Sequence, residues 1–464
     1  MGKVQVADED RLTVRQRASY GVGIGGLWMV FMTTAFYLLY FYTDVLGLSG
    51  SEAGLILLIA TLWDAVTDPA MGYLVSRTRS RWGQYRPYLI FGAFPMAVSF
   101  VAVFLRPDFV AGQIFLFALL TQIIFRTLFT VVYIPYTALI SRLSRDANER
   151  ASIASVKAFF VSAGALTASY FGLPLVAALG QGDDLQGFIL TAGIFGGVAT
   201  LTLMFTGFTV REKGAVGKTR AEAAGEALFE DTSSIKEALS GLFRNQAFLL
   251  VFFGVIMFTG CYTVLNKTSI YFFEYDYGDR GAVRYPLTAI SVAGLVAPFL
   301  WAKVTHMTSK RFVWVSGCLL AAACLVTFYA LGSQNLSLVW ITAIYFMTGV
   351  GIQAFLMTFY AMTADAIDYG EWKTGQRVEA MGFGLLSFAS KSSLALGGFA
   401  LGFLLDEIGY VSKAVQSEDV LADIRLILVF FPTAGFLLSA LIISFFPVST
   451  QKHREIMKEI RNRK

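Results

Sequence analysis

The sequence predicts an all-α membrane protein of twelve transmembrane helices set out as two six-helix bundles, and three observations carry that expectation. Of 464 residues, 56% are hydrophobic and 15% are charged, against roughly 25% charged in an ordinary soluble domain. The charges gather in short clusters between apolar runs of about 20 residues, the length that crosses a hydrocarbon core. The longest polar stretch, at 211–245, parts those runs six and six.

In order, the runs fall at 18–42, 51–75, 87–105, 112–140, 153–179 and 187–209, then at 246–273, 285–304, 311–331, 336–363, 379–405 and 423–447. An N-terminal bundle is therefore expected over 1–210, a cytoplasmic linker over 211–245, a C-terminal bundle over 246–448 and a cytoplasmic tail over 449–464. The opening MGKVQVADEDRLTVRQR mixes acids and bases, and the apolar run after it is too long and has no small-residue cleavage site, so no removed signal peptide is expected. Orientation follows from arginine and lysine in the short connections. The second connection carries Arg77, Arg79, Arg81 and Arg86 and the fourth carries Arg142, Arg145 and Arg150, whereas the first and fifth carry none. Even-numbered connections and both termini are thus expected on the cytoplasmic side of a plasma (inner) membrane. The basic tail, Lys452, Arg454, Lys458, Arg461, Arg463 and Lys464, agrees and reads as a solvated interfacial helix end.

The net charge of +5 comes from loops and tail, so it speaks to topology and implies no nucleic-acid partner. Cys261, Cys318 and Cys324 lie in apolar runs without metal-ligand spacing, and His306 and His453 stand far apart in polar contexts. A cofactor or a histidine-based metal or catalytic site is not expected.

Ionisable side chains deep in a membrane helix are costly and face a cavity or one another. Asp64 and Asp68, in LWDAVTDPAMG, are four residues apart and share a helix face. Paired carboxylates suit a sodium ion, whose lost hydration oxygen ligands replace, or a transferable proton; alternatively they pair with basic residues to hold helices together. Pro69, next in sequence, removes a backbone donor and opens a carbonyl nearby. In the fourth run Arg126, Thr130, Tyr133 and Thr137 recur at spacings of four, three and four, a single helical stripe. Such a stripe suits a central cavity, and Arg126 either serves that cavity or neutralises Asp64 or Asp68. Lys267 sits in the outer half of the seventh run, where it either faces the cavity or snorkels to the interface. Lys391 is too deep to snorkel, and its neighbours Ser390, Ser392 and Ser393 suit close helix packing.

Three segments then carry a resemblance. WDAVTDPAMGYLVSRTRSRWGQYRPYLIFG, IPYTAL and TADAIDYGEWKTGQRVEAMGFGLLSFASK together resemble the glycoside-pentoside-hexuronide:cation symporter family, the branch of the major facilitator superfamily that includes melibiose permease. The likeness runs from about Ser19 to the end of the eleventh run, in the same order and spacing. It implies a major facilitator fold and secondary active transport by alternating access, with Na+ or H+ as the coupling ion. It further implies that Asp64, Asp68 and Thr130 form the cation site, with Lys391 beside it in coupling. Asp365, Asp368, Glu371, Arg377 and Glu379, with Arg77, Arg79 and Arg86 of the second connection, resemble the inner charge network that closes the cavity.

The sequence departs from the family where the galactoside binds. Trp28 and Tyr133 stand at the positions of two sugar-holding acids, Thr137 at that of a stacking tryptophan, and Arg126 at that of a small residue; Lys157 is the nearest basic residue in the fifth run. The galactoside site is therefore not expected to be retained. Substrate contacts are expected from Trp28, Arg126, Tyr133, Thr137, Lys267 and Lys391. Three positives, Arg126, Lys267 and Lys391, against the two negatives Asp64 and Asp68 favour an acidic sugar or sugar derivative. A sodium-coupled carrier of lysolipid or another amphipathic solute is the alternative within transporters. An intramembrane prenyl transferase, holding magnesium diphosphate on Asp64/Asp68 and Asp365/Asp368, is the alternative as an enzyme, and the wide separation of the two pairs along their helices argues against it. Lipid and a small-molecule substrate are the expected partners of a monomeric chain.

Overall fold

The computed structural model describes residues 13–108, 112–143, 147–210, 212, 240–333, 336–375 and 378–463; most of the expected linker lies outside them. The described chain is helical throughout. Helices α1 (Val14–Tyr40), α2 (Gly50–Arg77), α3 (Arg86–Ala102), α4 (Ile114–Leu143), α5 (Ala147–Gly180) and α6 (Asp184–Thr209) make the first group. The second group is α7 (Gln246–Tyr271), α8 (Arg284–Met307), α9 (Lys310–Ala330), α10 (Leu338–Thr374), α11 (Glu379–Glu407) and α12 (Glu418–Ser444), followed by α13 (Thr450–Arg463). Eleven of these are long and apolar enough to cross a membrane. Helix α3 has 17 residues, about 26 Å at the helical rise, the short end of what spans a hydrocarbon core.

Caps explain where the helices depart from the apolar runs. Thr13 and Gln16 bond reciprocally, Thr13 Oγ1 accepting from Gln16 N at 3.2 Å and Gln16 Oε1 from Thr13 N at 3.1 Å, so α1 starts ahead of its apolar stretch. Ser49 and Glu52 open α2 in the same way. Helix α10 continues past the expected end at 363 to Thr374, where Gly375 takes the left-handed conformation at φ +75° that a side chain would resist. Hydropathy marks the apolar span; the helix itself runs on through Asp365, Asp368 and Glu371. Helices α1 and α7 each run into a five-residue π-helical turn, Phe41–Val45 and Phe272–Asp276.

Two compact units emerge, Met1–Phe41 with Trp63–Phe229, and Tyr42–Leu62 with Glu230–Lys464. In the first, α1 packs on α5 and α6, and α3 on α4 and α6. Small residues permit this closeness: a Cβ on Gly26 would meet Thr202 Oγ1 at 2.2 Å, and one on Gly164 would meet the Gly25 carbonyl oxygen at 2.3 Å. Without a hydrophobic drive between helices in lipid, such approach and the dispersion it allows supply the association.

In the second unit α7 packs on α10, α11 and α12, α9 on α10 and α12, and α8 and α13 on α10. Buried Trp314 donates to Ser439 Oγ at 3.0 Å, which donates onward to the Gly254 carbonyl at 2.9 Å, tying α9, α12 and α7. The start of α2 belongs to this unit. Asp406, at the end of α11, accepts from Gly50 N and Ser51 N at 2.7 Å each. Beside it a Cβ on Gly402 would meet the Gly50 carbonyl oxygen at 2.0 Å. Buried Asp44 accepts from Thr43 Oγ1 at 2.6 Å, Tyr410 OH at 2.6 Å and Tyr275 OH. Burial first, and then the Asp44 carboxylate, push the Tyr410 hydroxyl above its ordinary pKa, keeping it a donor. Asp406→Ala removes both caps from α2 and is expected to lower stability by about 1–2 kcal/mol; detergent unfolding of purified protein checks this.

Candidate functional site

The site in the first unit grows from two helices. Asp64 and Asp68 lie one turn apart on α2, while Arg126 and Thr127 are consecutive on α4 and Thr130 lies about one turn further on. Three polar links join them: Trp63 Nε1 donates to Thr127 Oγ1 at 2.9 Å, Arg126 Nη2 lies 2.8 Å from Asp64 Oδ2, and Thr130 Oγ1 donates to Asp68 Oδ1 at 2.9 Å. Asp64 and Arg126 are both buried, their side chains 6% and 11% exposed. Pro69 lies inside α2, so the Ala65 carbonyl has no helical N–H beside these carboxylates. Two carboxylates and a hydroxyl are hard oxygen donors of the kind a sodium ion takes.

An aromatic wall adjoins the pair. Trp28 lies 5.1 Å from Phe31 and 6.0 Å from Tyr133, centroid to centroid; Phe31 lies 5.5 Å from Phe129, and Phe129 stacks on Tyr133 at 5.6 Å. The Arg126 guanidinium sits 5.8 Å from the Phe31 centroid, within cation–π range. The wall thus ends at a cation. Thr137, on the same stripe, is half-buried and gives its hydroxyl to the Ile134 carbonyl at 2.9 Å. Phe31 and Phe129 carried no signal in the sequence, because phenylalanine in an apolar helix is the default filling of a core.

In the second unit Lys267 is 6% exposed, and its Cε lies 3.6 Å from where a Cβ on Gly398 would stand. This corrects the snorkelling alternative: the side chain lies against α11, not at the interface. Lys391 is half-buried on α11. Asn266, next to Lys267, donates to the Tyr262 carbonyl at 3.1 Å, and its buried Oδ1 has no hydrogen-bond partner among the described residues.

The acidic set on α10 meets partners that the sequence reading left out. Lys310 Nζ reaches both Asp365 oxygens at 2.8 and 2.7 Å, and His453 Nε2 lies 3.1 Å from Asp368 Oδ2 and 3.5 Å from Asp365 Oδ1. His453 comes from α13, whose Ile456 and Ile460 are buried and whose Glu459 accepts from Trp372 Nε1 at 2.6 Å. The tail is a docked amphipathic helix, not a solvated end; its hydrophobic face is only two isoleucines wide, which hid it. Glu371 is buried and Glu379 half-buried; Arg377 lies outside the described residues. In the first unit Arg77 stacks on Tyr73 at 4.5 Å, Arg79 is exposed, and Arg86 Nε donates to the Gly207 carbonyl at 2.7 Å. Among the described residues no cluster of three or more His, Cys, Asp or Glu is placed to hold a metal ion.

The Arg126–Asp64 pair also changes the charge count. Three positives against two negatives stands as arithmetic, but the guanidinium is already balanced by a carboxylate.

Membrane-length helices carrying buried carboxylates, a guanidinium and hydroxyls define a multi-pass membrane carrier. The family described as MFS/sugar transport protein matches residues 19–450, and the chain belongs to it. It is 29% identical over 457 residues to an Escherichia coli (strain K12) protein provisionally named glycoside/cation symporter YagG, covering 97% of this chain and 95% of that one. It is 30% identical over 438 residues to the isoprimeverose transporter of Lactiplantibacillus pentosus, covering 93% and 88%. It is 26% identical over 457 residues to the glucuronide carrier protein homolog of Escherichia coli (strain K12), covering 98% and 97%. The resemblance read from the three segments is borne out, and the chain is a transporter with the major facilitator fold, not an enzyme.

Proposed function

We propose that this transporter carries a sugar derivative bearing an acidic group, together with a monovalent cation, by alternating access. The observation that carries the reading is the aromatic wall of Trp28, Phe31, Phe129 and Tyr133 ending at Arg126. Rings of this kind take the apolar face of a pyranose, and a guanidinium grips a carboxylate with two parallel hydrogen bonds. The relatives named as a glycoside/cation symporter and a glucuronide carrier support sugar, cation and acid, while the isoprimeverose transporter shows that kinship alone does not select an acid.

In this reading Asp64, Asp68 and Thr130 hold the cation, which is cargo. The α10 acids, with Lys310 and His453 added, and the α2–α3 arginines act as gating charges at the cytoplasmic side, where both termini lie. Uptake of a glucuronide and the matched glucoside, each with the same aglycone, tests the substrate. Wild type is expected to prefer the glucuronide, and Arg126→Gln to lose that preference by about 10- to 100-fold. Preference for the glucoside in wild type would refute the reading.

A further inference from the structure

We propose that Gln122 is a further substrate contact in the first unit, its carboxamide taking a sugar hydroxyl one turn along α4 from Arg126. The inference rests on the sugar and the alternating access of the reading above, not on its acid.

Gln122 lies about 12 Å along α4 from Ile114, inside the apolar span Ile114–Ile140, and is 4% exposed. Its Oε1 is buried and has no hydrogen-bond partner among the described residues. An amide oxygen shut off from water and left unpaired costs stability, and native proteins keep few of them. Leucine would fill much the same volume without that cost. Real proteins break the rule mainly where function needs the group, and a carrier that opens to either side in turn has a second state in which to use it.

The helix fixes where the group stands. At 3.6 residues per turn, Gln122 falls within about 20° of Phe129 and Tyr133 around the α4 axis and about 40° of Arg126, so it extends their line by one turn. That line is the α1 side of α4: Tyr133 meets Trp28 and Phe129 meets Phe31, while Phe125, about 60° round, meets Phe100 of α3. The two α1 contacts run antiparallel, and both helices rise equally per residue. A heptad beyond the Phe129–Phe31 contact, the register therefore reaches Leu38 at the level of Gln122, and a leucine brings no polar side chain. The α1 backbone amides are spent within the helix, so the donor that Oε1 lacks has to come from outside these two helices.

A hydroxyl is the donor that fits. A carboxamide carries acceptor and donor side by side, and a hydroxyl can give to the one and take from the other. A sugar ring on the aromatic wall presents hydroxyls round its rim. Gln122 stands about 6 Å of helix from Arg126, close enough for one ligand to touch both. A buried water is the rival occupant.

Gln122→Leu separates the two. It removes the unpaired oxygen, so ligand-free full-length protein is expected to melt at or above the wild-type temperature, while sugar affinity falls about tenfold or more. Gln122→Met, unbranched and adaptable, makes the same test where leucine packs badly. The probes are methyl glucuronide and methyl glucoside, and monodeoxy forms of whichever wild type binds more tightly, all read by ligand-dependent thermal shift. In wild type, loss of one particular hydroxyl is expected to cost about tenfold or more. In both variants that hydroxyl matters no more than its neighbours, which marks it as the one Gln122 holds.

Melting several degrees below wild type in both variants makes Gln122 a structural residue and overturns the inference. Undiminished sugar affinity at wild-type stability leaves a buried water on Oε1 and overturns it too, as does a loss spread evenly over every hydroxyl. Binding of neither glycoside overturns the sugar reading and the inference with it. Preference for the glucoside refutes the acid alone, since the hydroxyl test then runs on the glucoside.

Discussion

Asp68→Asn is expected to fold, reach the membrane and bind substrate, yet lose ion-driven accumulation. The amide keeps the shape of the carboxylate and its Oδ1 still accepts from Thr130, now 2.9 Å from Asp68, so the α2–α4 link survives. What disappears is the negative charge. A site of neutral oxygens gives a desolvated cation far less than a carboxylate does, and in a buried setting that difference is large. Ion-stimulated uptake is expected to fall roughly 10- to 100-fold, while sugar exchange at equilibrium persists. Counterflow and gradient-driven uptake in the same vesicles separate the two. Equal loss of both, with intact thermal stability, would place Asp68 in substrate binding instead. Asp64→Asn differs because it removes a charged partner 2.8 Å from a buried guanidinium, and its cost includes that lost ion pair.

Gly402→Leu is expected to be the most damaging substitution of a residue that touches neither cargo. A Cβ there would stand 2.0 Å from the Gly50 carbonyl oxygen, 2.8 Å from its carbon and 3.3 Å from Gly54 Cα. All three are backbone atoms, so no side chain can rotate away, and the helices have to separate. Separation also pulls Asp406 from the Gly50 and Ser51 amides. Overpacking of about 1–3 kcal/mol then adds to the lost caps. The expected outcome is a lower detergent melting temperature and loss of a Gly54–Gly398 region cross-link made through cysteines placed one residue away. Stability equal to wild type would show that α2 and α11 have room the structure does not give them.

The helical fold was legible from hydropathy because lipid imposes one rule on every span, and eleven helices meet it in length and composition. Helix ends were not, since they depend on caps such as Thr13/Gln16 and on Gly375, which lie outside the apolar run. At the site, the α4 stripe and the α2 carboxylates could be read from spacing, and the structure joins Asp64 to Arg126 and Asp68 to Thr130. Spacing says which residues share a face but not which pairs form across helices, so the sequence left Arg126 with three alternatives. Phe31 and Phe129 were invisible for lack of contrast with 42 phenylalanines. The tail carrying His453 reads as solvated in the sequence because its apolar face is two isoleucines wide; in the structure α13 brings His453 to Asp365 and Asp368.

The π-helical turns that end α1 and α7 give the first helix of each six-helix group a common ending. Such turns hold well under about 1% of residues in proteins at large, because one extra residue must be squeezed into a regular turn. Here the first helix of each six-helix group ends in one, each after a tyrosine, Tyr40 or Tyr271, each opening on a phenylalanine, and each enclosing an aspartate, Asp44 or Asp276. Hydropathy gives no sign of this common ending, since both segments are apolar throughout. Setting Phe41 against Phe272 brings Tyr42 opposite Phe273 but Asp44 opposite Tyr275, so the two turns agree in backbone geometry and in their opening aromatic residues and differ in where the acid stands.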